Sequence, residues 1–111
     1  MIALEVRLNG KRVCIAGAED LSVLSAHVTA VGKLGSKTAP GRHDKDNDDV
    51  PDMFFSVGGL TRRSDPMKDV HLDWRSSSRL RAGDLIEIRV LEAKKADRPK
   101  SRTKANRKRR N

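Results

Sequence analysis

Three aspartates at alternate positions form the pattern in this sequence that comes nearest to a metal site. Asp44, Asp46 and Asp48 match the first three ligand positions of an EF-hand calcium loop. The sixth position of such a loop requires glycine and holds Asp49 here, while the twelfth requires a bidentate glutamate and holds Phe55. These departures favour a solvated acidic loop over a specific calcium site.

Four other side chains have the chemistry of zinc ligands without the spacing of a zinc site. They are scattered along the chain at Cys14, His27, His43 and His71, and no two of them are separated by the short interval typical of paired zinc ligands. The glycines at 32–35 and 58–59 also lack the spacing and the following helix of a phosphate-binding loop. The sequence therefore predicts neither a metal nor another cofactor.

Cys14 is the only cysteine, and nothing in its surroundings indicates a catalytic nucleophile. A reactive thiol needs a neighbouring base, and the sequence brings no histidine close to it. Cys14 lies between Val13 and Ile15 on a predicted strand, so it should face the opposite side and act as a small, inert apolar residue. A single cysteine excludes an internal disulfide, which favours a reducing, cytoplasmic location.

The basic residues are concentrated at one end of the chain. The sequence has 24 lysines and arginines against 15 acidic residues, a formal charge of +9. Ten of the basic residues and one acid, Asp97, fall after Ala93, which leaves fourteen of each sign in residues 1–93. These ten candidate contacts for nucleic acid or another anion are Lys94, Lys95, Arg98, Lys100, Arg102, Lys104, Arg107, Lys108, Arg109 and Arg110.

Such a cationic stretch predicts a disordered tail over residues 94–111, because like charges repel and little apolar surface is available to bury. Neutralising phosphates releases condensed counterions, so binding of DNA or RNA by this tail would be strongly salt-dependent. No aromatic residue is present to stack on bases, which argues against single-strand selectivity. A solubilising extension, or contact with anionic lipid or an acidic protein, remains an alternative.

The amino-terminal residues predict a β-hairpin over 2–16. Asn9-Gly10 suits the positive φ angles of a type I′ turn, and apolar residues return at Val13 and Ile15. In the first strand, Ala3, Glu5 and Arg7 alternate with four larger apolar residues, which are Ile2, Leu4, Val6 and Leu8.

Residues 21–31 fit either a strand or a helix, and the choice decides the fold class. Leu24, Ala26 and Val28 alternate with polar residues as in a strand, whereas Leu21, Leu24, Val28 and Val31 have helical spacing. A strand is favoured, because the serines, threonine and valines here are poor helix formers.

The rest of residues 1–93 predicts one all-β domain, a small sandwich or open barrel of five to six short antiparallel strands. A long polar loop is expected at 33–52 and a turn at Gly58-Gly59. Alternation resumes at Val70, Leu72 and Trp74, and in a last strand whose inward face is expected to be Ile86, Ile88 and Val90.

Two resemblances accompany this pattern. The segments 8–12 (LNGKR) and 57–60 (VGGL), then Trp74, then Leu80-x-x-Gly83-Asp84, resemble a group of small uncharacterised bacterial proteins, which implies no particular activity. The Asn-Gly hairpin and the Leu-x-x-Gly-Asp turn are also similar to those of ubiquitin-like sulfur carriers. That likeness implies a β-grasp, α+β fold with residues 21–31 helical, but those carriers require a C-terminal Gly-Gly, and this chain ends in Asn111.

Together these patterns favour a non-enzymatic binding or accessory protein. The β domain would contact a protein partner through a sheet edge or the 33–52 loop, and the basic tail would add electrostatic attachment. The alternatives are a nucleic-acid-binding protein acting through the tail, and a carrier-like or enzymatic β-grasp protein. No apolar run is long enough for a membrane span, and the oligomeric state is left open because an edge strand can pair or be shielded.

Overall fold

The computed structural model describes residues 1–41 and 50–105, which form two packed antiparallel sheets. The strands are β1 (Ile2–Leu8), β2 (Lys11–Ala16), β3 (Leu21–Val31), β4 (Asp52–Thr61), β5 (Val70–Leu80), β6 (Ile86–Glu92) and β7 (Ser101–Lys104). Sheet A has the order β2-β1-β6, and sheet B has the order β3-β4-β5-β7. The predicted all-β sandwich is confirmed, with seven strands in the described residues instead of five or six.

The predicted hairpin is confirmed, and its turn has a second role. Asn9 and Gly10 have φ angles of 52° and 84°, as a type I′ turn requires. The Asn9 amide donates to Asp84 Oδ1 (3.0 Å), and its Oδ1 accepts from the Leu85 backbone N–H (2.8 Å). The hydrogen bond from Asn9, then that from the Arg81 backbone, lowers the pKa of Asp84. The hairpin turn therefore holds the turn that leads into β6.

Residues 21–31 form a strand along their whole length, which resolves the ambiguity of their pattern. β3 pairs antiparallel with β4 from Leu21 opposite Thr61 to Val31 opposite Asp52. The strand prediction is confirmed, and the β-grasp alternative, which requires a helix here, is wrong. Pairing with β4 satisfies the backbone of residues whose side chains favour a pleated sheet.

Gly58 and Gly59 do not form the predicted turn. They lie inside β4, which runs on to Thr61. A Cβ on Gly59 would lie 2.7 Å from the Val23 carbonyl oxygen, and one on Gly58 would lie 3.0 Å from both Asp73 Oδ1 and the Leu72 carbonyl oxygen. The glycines therefore allow β3 and β5 to approach β4 closely beside irregularities in the pairing.

The core lies between the sheets and is built on Trp74, with Val6 and Val57 among its other fully buried side chains. The remaining buried members of this cluster are Cys14, Ala16, Phe55, Leu72 and Leu80. Sheet B carries most of this apolar surface, and β1 and β2 of sheet A cover it.

The expected inward face of β6 is only partly buried. Ile86, Ile88 and Val90 lie opposite Leu8, Val6 and Leu4 in the pairing with β1, so they share the core-facing side of sheet A. Ile88 is nevertheless 45% exposed and Val90 67% exposed. β6 is the edge strand of its sheet, and its outer side chains extend beyond the cover that sheet B provides.

A buried polar corner fixes the connection between β4 and β5. Asp69 (2% exposed) accepts hydrogen bonds through Oδ1 from the hydroxyl of Thr61 (3.0 Å) and from the Arg63 backbone N–H (2.8 Å). Thr61 Oγ1 in turn accepts from the Val70 backbone N–H (2.9 Å). The Arg63 side chain pairs with Asp20 (2.9 Å), which ties this corner to the start of β3.

Residues 94–105, which follow β6, are ordered where they were expected to be disordered. Residues 93–105, here called the closing segment, run from β6 past the free edge of β2 to β5, where β7 pairs with residues 70–73. Asp97 donates its backbone N–H to the Ile15 carbonyl (2.8 Å) and accepts the Ile15 N–H on Oδ2 (2.8 Å). The Asp97 carbonyl accepts from Trp74 Nε1 (2.7 Å). The prediction of disorder is thus wrong for these residues, because backbone pairing and the indole of Trp74 hold them.

Candidate functional site

The cations of the closing segment are held on the surface of the sandwich. The six basic side chains in the described part of the predicted tail are all exposed, at Lys94, Lys95, Arg98, Lys100, Arg102 and Lys104. None of the four salt bridges found in residues 1–41 and 50–105 includes one of them. These six side chains are therefore available to an external anion and have a fixed backbone beneath them.

Strand pairing arranges the last of these cations on one face. Arg102 lies opposite Leu72 and Lys104 opposite Val70, and side chains directly opposite each other share a sheet face. Lys100 is two residues before Arg102, and its N–H donates to the Asp73 carbonyl (2.7 Å), which continues the pairing. Lys100, Arg102 and Lys104, here called the cationic row, thus line one flank of the sandwich.

The strand of sheet A that the closing segment contacts also carries exposed cations. Asp97 joins the closing segment to β2, whose first two residues, Lys11 and Arg12, are also exposed. The acid of the segment, Asp97, is already engaged through its carboxylate with the Ile15 N–H. The cationic row is therefore opposed by no other acidic side chain within residues 93–105.

The structure does not bring the candidate zinc ligands together. Cys14 is 5% exposed in the core, whereas His27 and His71 are exposed on the outer face of sheet B. The two histidines line a shallow depression of about 310 Å³ whose floor includes Gly58. Across residues 1–41 and 50–105, no group of three or more His, Cys, Asp or Glu side chains is arranged to hold a metal ion.

Some predicted site residues lie outside the described residues. These are His43 and the aspartates of the EF-hand-like pattern, Asp44, Asp46 and Asp48, and the last cations of the tail, Arg107, Lys108, Arg109 and Arg110. The described residues include no helix of the length and apolar character that crosses a membrane.

Cys14 has the environment of a core residue and not of a nucleophile. Burial raises the pKa of its thiol, and the nearby Asp97 carboxylate raises it further, while Arg75 offsets part of the effect. Because the reactive form of cysteine is the thiolate, this environment suppresses reaction. The sequence predicted that the side chain of Cys14 faces the other side of its strand from Val13 and Ile15. In the structure, the side of β2 that Cys14 occupies is the sandwich interior.

We expect alkylation of Cys14 by iodoacetamide at neutral pH to be much slower in the folded protein than in urea. Above the pKa of the unfolded thiol, we also expect the free energy of unfolding to fall as the pH rises. The folded state holds its proton longer than the unfolded chain, so rising pH favours unfolding. Urea titrations of the wild type and of Cys14→Ala across that range will measure the difference. Equal alkylation rates in folded and unfolded protein would contradict the prediction.

Sequence reasoning identified the cations but not the surface that presents them. A second feature that it missed is the free edge of β3, whose eleven residues include no charged side chain. The alternating pattern predicted a strand there and contained no signal for which of its edges would lie unpaired. Comparison with protein-family models, curated protein sequences and solved structures found no match to this chain.

Proposed function

We propose that this protein is a non-enzymatic binding protein that attaches to nucleic-acid phosphates through the cations of residues 94–110. The observation that carries the proposal is the exposed cationic row, Lys100, Arg102 and Lys104, on a strand fixed to the body of the fold. Arginine and lysine on a fixed backbone lose less conformational freedom on binding than the same residues in a disordered chain.

The expected binding mode is electrostatic and has little sequence preference. The closing segment contains lysine and arginine but no aromatic residue for base stacking. β7 has only four residues, and its arginine and lysine side chains offer contacts to phosphates. Such contacts carry no information about base sequence. A binding or accessory role of this kind also accords with the preference for a binding protein over an enzyme drawn from the sequence.

The test is the salt dependence of binding to a DNA duplex of arbitrary sequence. We expect the full chain to bind at low salt, with log K falling linearly with log salt concentration. The triple variant K100Q/R102Q/K104Q should lower the magnitude of that slope by roughly 2.7 if each side chain neutralises one phosphate. Fluorescence anisotropy of a labelled duplex at several salt concentrations will give both slopes.

The matched control is K33Q/K37Q/R89Q, which removes two exposed lysines that follow β3 and one exposed arginine of β6, since β3 and β6 are sheet edges with which the closing segment does not pair. We expect its slope to stay close to that of the wild type. An equal decrease of the slope in both triple variants would show that net charge alone determines binding. Absence of binding at low salt would refute the proposal. A chain ending at Ala105 will measure what Arg107–Arg110 add.

A further inference from the structure

Four strand edges bound the two sheets, and they differ in what protects them. The edge of β2 is occupied by Asp97 of the closing segment. β7 has only four residues and carries Arg102 and Lys104, and β6 carries Glu87, Arg89 and Glu92. Short length and charged side chains are the usual protections against edge-to-edge pairing. β3 has neither of them.

The free edge of β3 is long and uncharged. Its eleven residues contain no charged side chain, no proline and no glycine, and His27 is its only titratable group. Three of its valines are about half exposed or more: Val23 at 49%, Val28 at 60% and Val31 at 51%. β4 pairs with its other edge along the whole strand, so the strand is rigid and presents a row of backbone donors and acceptors outward.

We propose that β3 pairs antiparallel with β3 of a second copy of this chain, around a two-fold axis at Ala26. A two-fold axis perpendicular to the sheet keeps the core-facing sides of both copies on one side of the joined sheet. Directly opposite residues of the two strands must then lie on the same face of the sheet. The axis must therefore lie between two copies of the same residue, and not midway between two successive residues. Ala26 is the midpoint of Leu21–Val31, and this register pairs the two strands regularly from Val23 to Thr29, beyond which the irregularity between Leu21 and Val23 interrupts it.

The side chains of β3 are self-complementary in this register. On the core-facing side, Leu24 lies opposite Val28 of the second copy, which covers a valine that is 60% exposed in the single chain. On the other side, Val23 lies opposite Thr29 of the second copy, and Ser25 lies opposite His27. No pair places like charges together, and an antiparallel pairing of seven residues forms about six to eight backbone hydrogen bonds.

The pairing also joins the two sandwiches into a continuous structure. The joined sheet has the order β7-β5-β4-β3, followed by the same strands of the second copy in reverse. This inference does not depend on the proposed nucleic-acid binding.

The first test is the mass of the protein in solution. Sedimentation equilibrium of the full chain should give twice the monomer mass at high concentration, with dissociation on dilution. Val28→Lys should weaken the dimer by tenfold or more, because a charge would lie opposite Leu24 at two places in the interface. Met67→Lys is the matched control, since Met67 is 65% exposed but lies in the connection between β4 and β5, and it should leave the dissociation constant within a factor of three.

The second test reads the register and does not depend on the stability of a charged variant. In Ala26→Cys the introduced thiols face each other across the axis at a Cα separation of about 4.5–5.5 Å, within reach of a disulfide. Mild oxidation should therefore give a covalent dimer. His27→Cys should crosslink poorly, because the two copies of residue 27 are diagonal neighbours about 7–8 Å apart, too far for a disulfide. The wild type, whose Cys14 is buried, controls for other thiol reactions.

Three results would overturn the proposal. One is a wild-type chain that stays monomeric at the highest concentration at which it is soluble, even if a different protein is found to bind the free edge of β3. The second is equal weakening of the dimer by Val28→Lys and Met67→Lys. The third is a dimer that Ala26→Cys does not crosslink.

Discussion

A chain ending at Ala93 is expected not to form the stable fold, whereas a chain ending at Ala105 is expected to unfold like the wild type. The shorter chain loses β7 and every contact of Asp97. It leaves the indole N–H of Trp74 without its acceptor, although that side chain is 2% exposed. An orphaned buried donor costs about 1–3 kcal/mol by itself, and the lost strand pairing adds to this, against a typical total of about 5–15 kcal/mol.

Urea unfolding followed by tryptophan fluorescence will compare the three chains, since Trp74 is the single tryptophan. Point variants then isolate the contribution of one side chain. Asp97→Ala should cost about 1–2 kcal/mol, because the Ile15 N–H loses its acceptor. Asp97→Asn should recover most of that loss, because its amide oxygen can still accept. Equal urea midpoints for chains ending at Ala93 and at Ala105 would contradict the structural role of the closing segment.

The second large effect is expected at the buried corner between β4 and β5. Asp69→Ala should lower the free energy of unfolding by about 3 kcal/mol or more, because the Thr61 hydroxyl and the Arg63 N–H both lose a buried charged acceptor. Thr61→Val should cost less, about 1–2 kcal/mol, because its shape is nearly conserved and the Val70 N–H is the main group left unsatisfied.

Asp65→Ala is the matched control for this corner. Asp65 belongs to the same connection and accepts one hydrogen bond, from the Met67 N–H (3.0 Å), but it is exposed. Its loss should cost at most about 1 kcal/mol. Chemical denaturation of the three variants will rank them, and a cost for Asp65→Ala equal to that for Asp69→Ala would show that burial of the corner does not determine its contribution.

The parts of the fold that follow from local chemistry could be predicted from the sequence. Asn9-Gly10 specifies its turn through the φ angles that these two residues tolerate, and the alternation of residues 21–31 specifies a strand. Gly58 and Gly59 predicted a turn, because the sequence alone does not distinguish a glycine pair in a turn from a glycine pair inside a strand. Its role here depends on the Val23 carbonyl and on Asp73, both distant in sequence.

The closing segment could not be predicted for a related reason. Lys100, Arg102 and Lys104 alternate with Ser101 and Thr103, which is a strand period without an apolar face. What orders these residues is the unpaired backbone of β5 and the indole of Trp74, and composition carries no information about either. The identity of the cations was therefore predictable from the sequence, whereas their attachment to the flank was not.

The place of β1 between β2 and β6 has a consequence for the kinetics of folding. β1 pairs with β2 across a two-residue turn, but its other edge waits for β6, so that Ile2 meets Glu92. Closing a loop of this length has a large entropic cost before the contacts form, and topologies with such distant pairings fold in about milliseconds to seconds. Until β6 pairs, β1 has at most its partner β2, and the uncharged edge of β3 is open to other unfinished chains. Refolding yield should therefore fall as protein concentration rises.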